Sequence, residues 1–430
     1  MPDTPRRRPR ADDSARRAVA AVDRDARTLL LARLTRYFGD LDLAEDAMQE
    51  ALAQALVTWP TSGVPTSPAA WLTTTAKRKG LDVVRREKML ADKLARLQLA
   101  AEREHRSDHH ADPADLAEQP PLSDERLGMF FACTHPVLSA EDRIALTLRF
   151  VAGLTTVEVA HALLIPTATM QQRIVRAKRR IATLGVPFTA PAPGDLPARA
   201  PGVLRVIYLL YAEGFARSAG PAHVRDDLTA EAVRLARLLH RLLPRAETVG
   251  LLALLLLTEA RRPARLGADS RPVPLSEQDR SRWDAALRAE GLHLAERAAG
   301  SPGAGPYAIQ AAIAAVHAEA DDADGTDWSQ IAVLYRMLQA VDPGPVVELG
   351  RAVAVGRALG PSHGLRLLDD LASNTAMIRY RPFHIARALT LVELGDAAAA
   401  AHAYREALAL PGNRAEDDYL AASLADVEQR

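Results

Sequence analysis

In this chain of 430 residues the side chains best placed to act are cationic rather than catalytic. Residues 170–181, MQQRIVRAKRRI, hold five basic residues and no acidic one. On a helix turning about 100° per residue, Met170, Ile174, Ala177 and Ile181 fall in one apolar stripe. Thr169, Gln172, Arg173, Arg176, Arg179 and Arg180 occupy a separate arc. Guanidinium, amide and hydroxyl groups on one face are the donors and acceptors that reach phosphates and base edges in a major groove. A solvated basic helix is the plain alternative. What precedes the run favours DNA. Ser139 caps AEDRIALTLRF, Thr155 to Glu158 spell a capping box, and a break at Ile165-Pro166 leads into the basic helix. Three helices in that order spell a helix-turn-helix.

A second cationic cluster lies earlier. Ser67-Pro68 is a strong helix start, a cap followed by a first-turn proline. The helix AAWLTTTAKRKGLDVVRRE then carries Lys77, Arg78 and Arg85 on one broad side, with Leu72, Ala76 and Val83 opposite. Trp71, Thr74 and Thr75 stand one to two turns before the basic residues. An aromatic platform beside positive charge suits single-stranded DNA, although Trp71 alone also reads as a core residue. Just upstream, Leu43 to Leu56 is amphipathic. Ala44, Ala47, Met48, Ala51 and Ala55 line one face, and Asp46, Gln49 and Glu50 gather on the other. That acidic patch either solubilises the helix or docks on a basic partner.

Nothing comparable points to catalysis, a cofactor or a metal. There is no GxxxxGK[ST] and no GxSxG, and Gly303 to Ala308 resembles a dinucleotide loop in letters only, reading as a proline-bearing turn. Asp321, Asp322, Asp324 and Asp327 lack EF-hand spacing, and His109-His110 sits in a polar stretch. Cys133 and His135 are too few ligands for a closed zinc site. The chain is expected not to be an enzyme.

Composition sets the frame for these elements. Hydrophobic residues make up 48% and charged residues 25%, enough for packed cores, while aromatics are only 4%. The abundance of Ala, Leu, Arg and Glu favours an all-α chain. Lys+Arg 54 equals Asp+Glu 54, so any polyanion binding is local rather than global. A single cysteine permits no intramolecular disulfide and fits a reducing cytoplasm. No secretory signal is expected, and the longest apolar run, Val249 to Leu257, is too short to span a membrane and reads as a buried helix. The predicted organisation is a flexible tail (1–20), a first helical domain (21–98) broken near Trp59-Pro60, a polar linker (99–121) and the helix-turn-helix domain (122–185). A proline-rich joint (186–202) and a helical extension (203–430) follow, with a longer break around Leu266–Pro274. Near the end, ARALTLVELGDAAAAAHAYREALALPGN places Ala388, Ala400, Ala407, Tyr404 and Leu408 as in a tetratricopeptide helix pair, so the extension is expected to be α-solenoid-like.

Taken together, DLDLAEDAMQEAL, PAAWLTTTAKRKGLDVVRRE and LSAEDRIALTLRFVAGLTTVEVAHALLIPTATMQQRIVRAKRRI resemble a bacterial sigma factor of the extracytoplasmic-function type, with motifs in the family's order. DERLGMFFACTHPVL, YLLYAEGFARS, EQDRSRWDAALRAEGL and GPYAIQAAIAAVHAEA resemble the subgroup with a tetratricopeptide-like C-terminal extension. The resemblance implies two small sigma domains, region 2 and region 4, ahead of that extension. It implies core RNA polymerase and promoter DNA as partners, with Asp46, Gln49 and Glu50 on the β′ clamp and region 4 at the β flap. Trp71, Lys77, Arg78 and Arg85 would hold the −10 element, and Thr169, Gln172, Arg173, Arg176 and Arg179 would read the −35 element. A protein partner or signal would act on the extension. Thr134 departs from relatives, which commonly carry a second cysteine beside Cys133. The rival readings are a conventional DNA-binding regulator that never joins polymerase, and an extension that is a scaffold or unrecognised enzyme in its own right.

Overall fold

The computed structural model describes residues 16–19, 24–99, 125–163, 165–188, 193–217, 220 and 222–429. The expected tail and the linker with His109-His110 fall almost wholly outside them. Among the described residues every named element is helical, and β pairing is limited to two isolated bridges. The all-α expectation holds. The chain divides into two compact units, one of residues 1–153 and 171–199, the other of residues 154–170 and 200–430.

The first unit is built on α1 (Arg24–Phe38), α2 (Leu41–Ser62) and α3 (Pro68–Leu99), followed by α4 (Glu125–Cys133), α5 (Ala140–Phe150) and most of α7 (Thr167–Thr183). Asp40 caps α2 by accepting the Leu43 amide at 2.9 Å. The alanine face of α2 is buried as its period requires, with Ala44, Ala51 and Ala55 fully inaccessible. Alpha-helix α2 runs through Pro60 to Ser62 rather than breaking at Trp59-Pro60. One proline near a C-terminus removes a single ladder bond, and the chain turns only at Gly63, whose φ is +84°. Pro68 opens α3 in its first turn, as expected. Gly80 lets α3 close on α1, because a Cβ there would stand 2.3 Å from the Phe38 ring.

In the second unit, α6 (Thr156–Ala162) belongs with the extension, which comprises α8 (Leu196–Phe215), α9 (Asp226–Leu242), α10 (Ala246–Ala260), α11 (Ala285–Ala299), α12 (Pro306–Glu319), α13 (Trp328–Val341), α14 (Pro345–Leu359), α15 (Pro361–Leu371), α16 (Thr375–Ile378), α17 (Arg381–Glu393), α18 (Ala397–Ala409) and α19 (Arg414–Glu428). The proline-rich joint is shorter than expected. Alpha-helix α8 already starts at Leu196 and carries Pro201 inside it, since prolines near a helix start forfeit few bonds. The irregular break is longer than expected, running from α10 to α11 through short 3₁₀ turns. The apolar run Val249 to Leu257 is the buried helix α10, packed on α11 and α12.

From α12 onward the helices pack on their chain neighbours and bury a string of small cores. Alpha-helix α17 stops before Gly395 at φ +76°, Asp396 caps α18, and Ala388, Ala400 and Ala407 are fully buried. The end of the chain then returns to the start of the extension. Asn413 donates to the Arg217 carbonyl at 2.9 Å and lies 3.2 Å from His223 Nδ1, and the Arg414 amide donates to the Gly220 carbonyl at 2.9 Å.

Candidate nucleic-acid and polymerase interface

The helix-turn-helix forms from the local signals in its sequence. Ser139 accepts the Asp142 amide at 3.1 Å and starts α5. The capping box on α6 is complete: Thr155 accepts the Glu158 amide at 3.2 Å, and Glu158 accepts the Thr155 amide at 2.7 Å. Met170, Ile174, Ala177 and Ile181 of α7 are all buried. With that stripe inward, Thr169, Gln172, Arg176 and Arg179 are exposed and Arg173 is half-buried. The face carries hydroxyl, amide and guanidinium donors with no competing carboxylate on the helix, which is what groove and phosphate recognition needs.

The first unit presents the other two sets. Asp46, Gln49 and Glu50 are exposed on α2, with Glu50 3.5 Å from Lys79. One and two turns further along the same face, Ala53, Leu56 and Val57 are exposed as well, Val57 at 71%. This apolar continuation carries a sequence signal of its own, the three- and four-residue spacing from Gln49 and Glu50. Arg78 and Arg85 project into solvent from α3, while Lys77 sits over the Tyr37 ring at 4.8 Å. Trp71 is half-buried and meets the buried Trp59 edge to face, with centroids 5.4 Å apart. One face of that indole is therefore structural.

Two ionic contacts were not foreseen. Within the first unit, Lys178 of α7 meets Asp42 and lies 3.4 Å from Glu45, and Arg149 donates to Glu45 at 3.0 Å. Burial pulls the Lys178 ammonium down, but the two carboxylates outweigh it and hold it above its ordinary value. Within the second unit, Arg225 at the start of α9 donates to the buried Glu158 at 3.1 Å. The acid that caps α6 is thus also held by the extension.

Cys133 is buried, and burial alone pushes its thiol up to about 12, which disfavours the thiolate at neutral pH. Thr134 beside it is buried and bonded to the Phe130 carbonyl. Asp327 caps α13 and Asp322 accepts the Gly325 amide, so the acidic loop spends these carboxylates on its own backbone. Among the described residues no cluster could hold a metal ion, and no helix is long and apolar enough to cross a membrane.

Comparison with known proteins decides what these surfaces belong to. Residues 24–89 match Sigma-70 region 2, and residues 131–181 match Sigma-70, region 4. The chain belongs to the sigma-70 family. Region 2, region 4 and an extra C-terminal domain are the arrangement of an extracytoplasmic-function-type sigma factor, and residues 199–299 of that domain match a family of unknown function (DUF6596). This RNA polymerase sigma factor is 41% identical over 400 residues to the uncharacterized protein R00370 of Rhizobium meliloti (strain 1021), a match covering 93% of each chain. No solved structure matches. As a sigma-70 family member it is a DNA-binding transcription initiation factor, acting with core RNA polymerase on promoter DNA.

Proposed function

We propose that this sigma factor divides promoter recognition between its two regions and that the extension regulates it in cis. Asp46, Gln49 and Glu50 dock on the basic clamp of the β′ subunit, with Leu56 and Val57 extending the contact, while region 4 lies at the β flap. Lys77, Arg78 and Arg85 hold the backbone of the opened −10 strand beside the free face of Trp71, offsetting an unpairing cost of a few kcal/mol. Arg173, Arg176 and Arg179 position α7 on phosphates at the −35 element, where Thr169 and Gln172 reach base edges. The observation that carries this reading is the exposed hydroxyl, amide and guanidinium arc of α7 above its buried stripe. Regulation by the extension is supported by Arg225, which grips the capping acid of α6. The tetratricopeptide-like helix pair α17–α18 suits a role in receiving a protein partner.

Run-off transcription with purified core polymerase on a randomised promoter pool tests the proposal. Transcripts preceded by a shared pair of −35 and −10 sequences, lost on R176A/R179A, are expected. Transcripts without a shared −35 sequence would refute the assignment of α7. Arg225→Ala should change initiation by the full-length protein. Identical initiation with and without that change would refute control through Glu158.

A further inference from the structure

The face that α7 turns outward is narrower than its run of basic residues suggests. Met170, Ile174, Ala177 and Ile181 are buried, Lys178 is turned to Asp42 and Glu45, and Arg173 is half-buried. At about 100° per residue, Gln172 and Arg179 then stand opposite the buried stripe. Val175 stands beside them, between Gln171 and Arg179, and is 45% exposed. Gln171, Gln172, Val175 and Arg176 line one open concavity of about 360 Å³.

Polarity alone passes over this valine. Its neighbours on the exposed face are amides and guanidiniums, and among the described residues of α7 no other large apolar side chain is exposed. A lone exposed valine is ordinary on most surfaces. On the outward face of a basic helix it has a further consequence, because that face meets the floor of any groove the helix enters. An isopropyl group cannot hydrogen-bond, so set against a polar base edge it would leave that edge unpaired.

In the major groove one base offers an apolar partner, thymine with its C5 methyl. The same edge carries the O4 acceptor, to which a glutamine amide can donate. Adenine, guanine and cytosine present no methyl there. Gln171 and Gln172 precede Val175 by four and three residues, a spacing that puts side chains about 5–6 Å apart at Cβ. Isopropyl and amide groups therefore reach the same base pair or its neighbour, and together they match the thymine edge.

We propose that, with α7 as the reader of the −35 element, Val175 is a specificity-determining residue that packs on the C5 methyl of one thymine of that element. Gln171 and Gln172 flank the contact and donate to the polar base edges beside the methyl. Arg176 and Arg179 supply affinity through phosphates, whereas Val175 supplies none without the right base. One position of the −35 sequence is thus fixed as thymine by a single methyl group.

Deoxyuridine tests this, because it differs from thymidine in the duplex by that methyl alone. Each −35 thymine, on either strand, is replaced in turn in the promoter found by run-off selection. Binding by the holoenzyme reconstituted from the full chain and core polymerase is read by fluorescence anisotropy. One position should lose about fourfold in affinity, the worth of one buried methyl group, and the others should change little. Val175→Ala should weaken the thymine promoter several-fold and bind its thymine and uracil forms alike. The salt dependence of that variant should match the parent's, whereas Arg176→Ala should lower the slope by about one. A −35 sequence without thymine on either strand would overturn the proposal. So would a promoter indifferent to every change of thymine to uracil, or a Val175→Ala protein that still distinguishes the two bases at the sensitive position. R176A/R179A separates this proposal from the assignment of α7. If that variant loses −35-dependent binding while uracil has no effect, α7 remains the −35 reader and the role of Val175 is refuted. If −35-dependent binding survives it, the assignment of α7 fails and the role of Val175 fails with it. The uracil scan on the unmodified chain stands even if a variant fails to fold.

Discussion

Replacing Lys178 by glutamate should separate α7 from α2. Lys178 is 14% exposed, meets Asp42 and lies 3.4 Å from Glu45, whose other oxygen is held by Arg149 at 3.0 Å. Two half-buried ion pairs contribute about 1 kcal/mol each, and a charge reversal adds repulsion of similar size. The contact should weaken by about 2–3 kcal/mol, shifting the ratio of closed to open forms roughly 30- to 150-fold. Energy transfer between dyes on R86C and R180C reads that ratio, since both positions are exposed. Cys133, buried with its thiol pushed up to about 12, stays unlabelled. Lys178→Glu should lower the transfer and Lys178→Arg should retain it. Because the folded Lys178 is raised above its ordinary value of 10.5, the contact is fully present below that value and is lost only as pH rises through the raised one. Transfer should be flat from pH 6 to 9. Unchanged transfer in Lys178→Glu at both low and high salt would refute the reasoning.

Three further outcomes follow from the same geometry. Asp46→Arg with Glu50→Arg should abolish co-elution with core polymerase while circular dichroism and the melting temperature stay near those of the parent, because both side chains are exposed; unfolding would make the patch structural. Burial lowers His223 and His317 from 6.5 to about 4, so the unfolded chain binds more protons between those values and stability falls as pH drops. Denaturant titration at pH 5.5 should show a loss of about 1 kcal/mol from each histidine relative to pH 8, which His223→Gln should roughly halve. Glu158→Ala removes the acceptor for the Thr155 amide and one of the two carboxylates held by Arg225, Asp227 being the other, and should cost about 1–2 kcal/mol in chemical denaturation.

What the sequence disclosed was local. The buried stripe of α7 and the capping boxes repeat at three- and four-residue spacing, so their signals lie within one or two turns. The helix pair α17–α18 was legible for the same reason, since Gly395 and the small residues at 388, 400 and 407 mark a turn and a close approach. Prolines misled the boundaries. Pro60 and Pro201 read as breaks, yet each removes one amide near a helix end and the helix continues. Lys178 looked like one more basic residue of α7, and only the fold shows it facing Asp42 and Glu45, more than 130 positions away. Glu158 was legible as a cap but not as the partner of Arg225.

The return of Asn413 to His223 and Gly220 gives the extension a dependence on the order of synthesis. The whole of regions 2 and 4 has been synthesised once residue 188 has left the ribosome, whereas the clasp cannot form until residue 413 has emerged. At about 5–20 residues per second that interval lasts roughly 10–45 s. Each newly made chain passes through a stage in which regions 2 and 4 have been made and its extension is still open at one end. A nonsense mutation or a proteolytic cut a few residues before Asn413 would hold the protein at that stage, removing the closure at 217–223 along with the last helix.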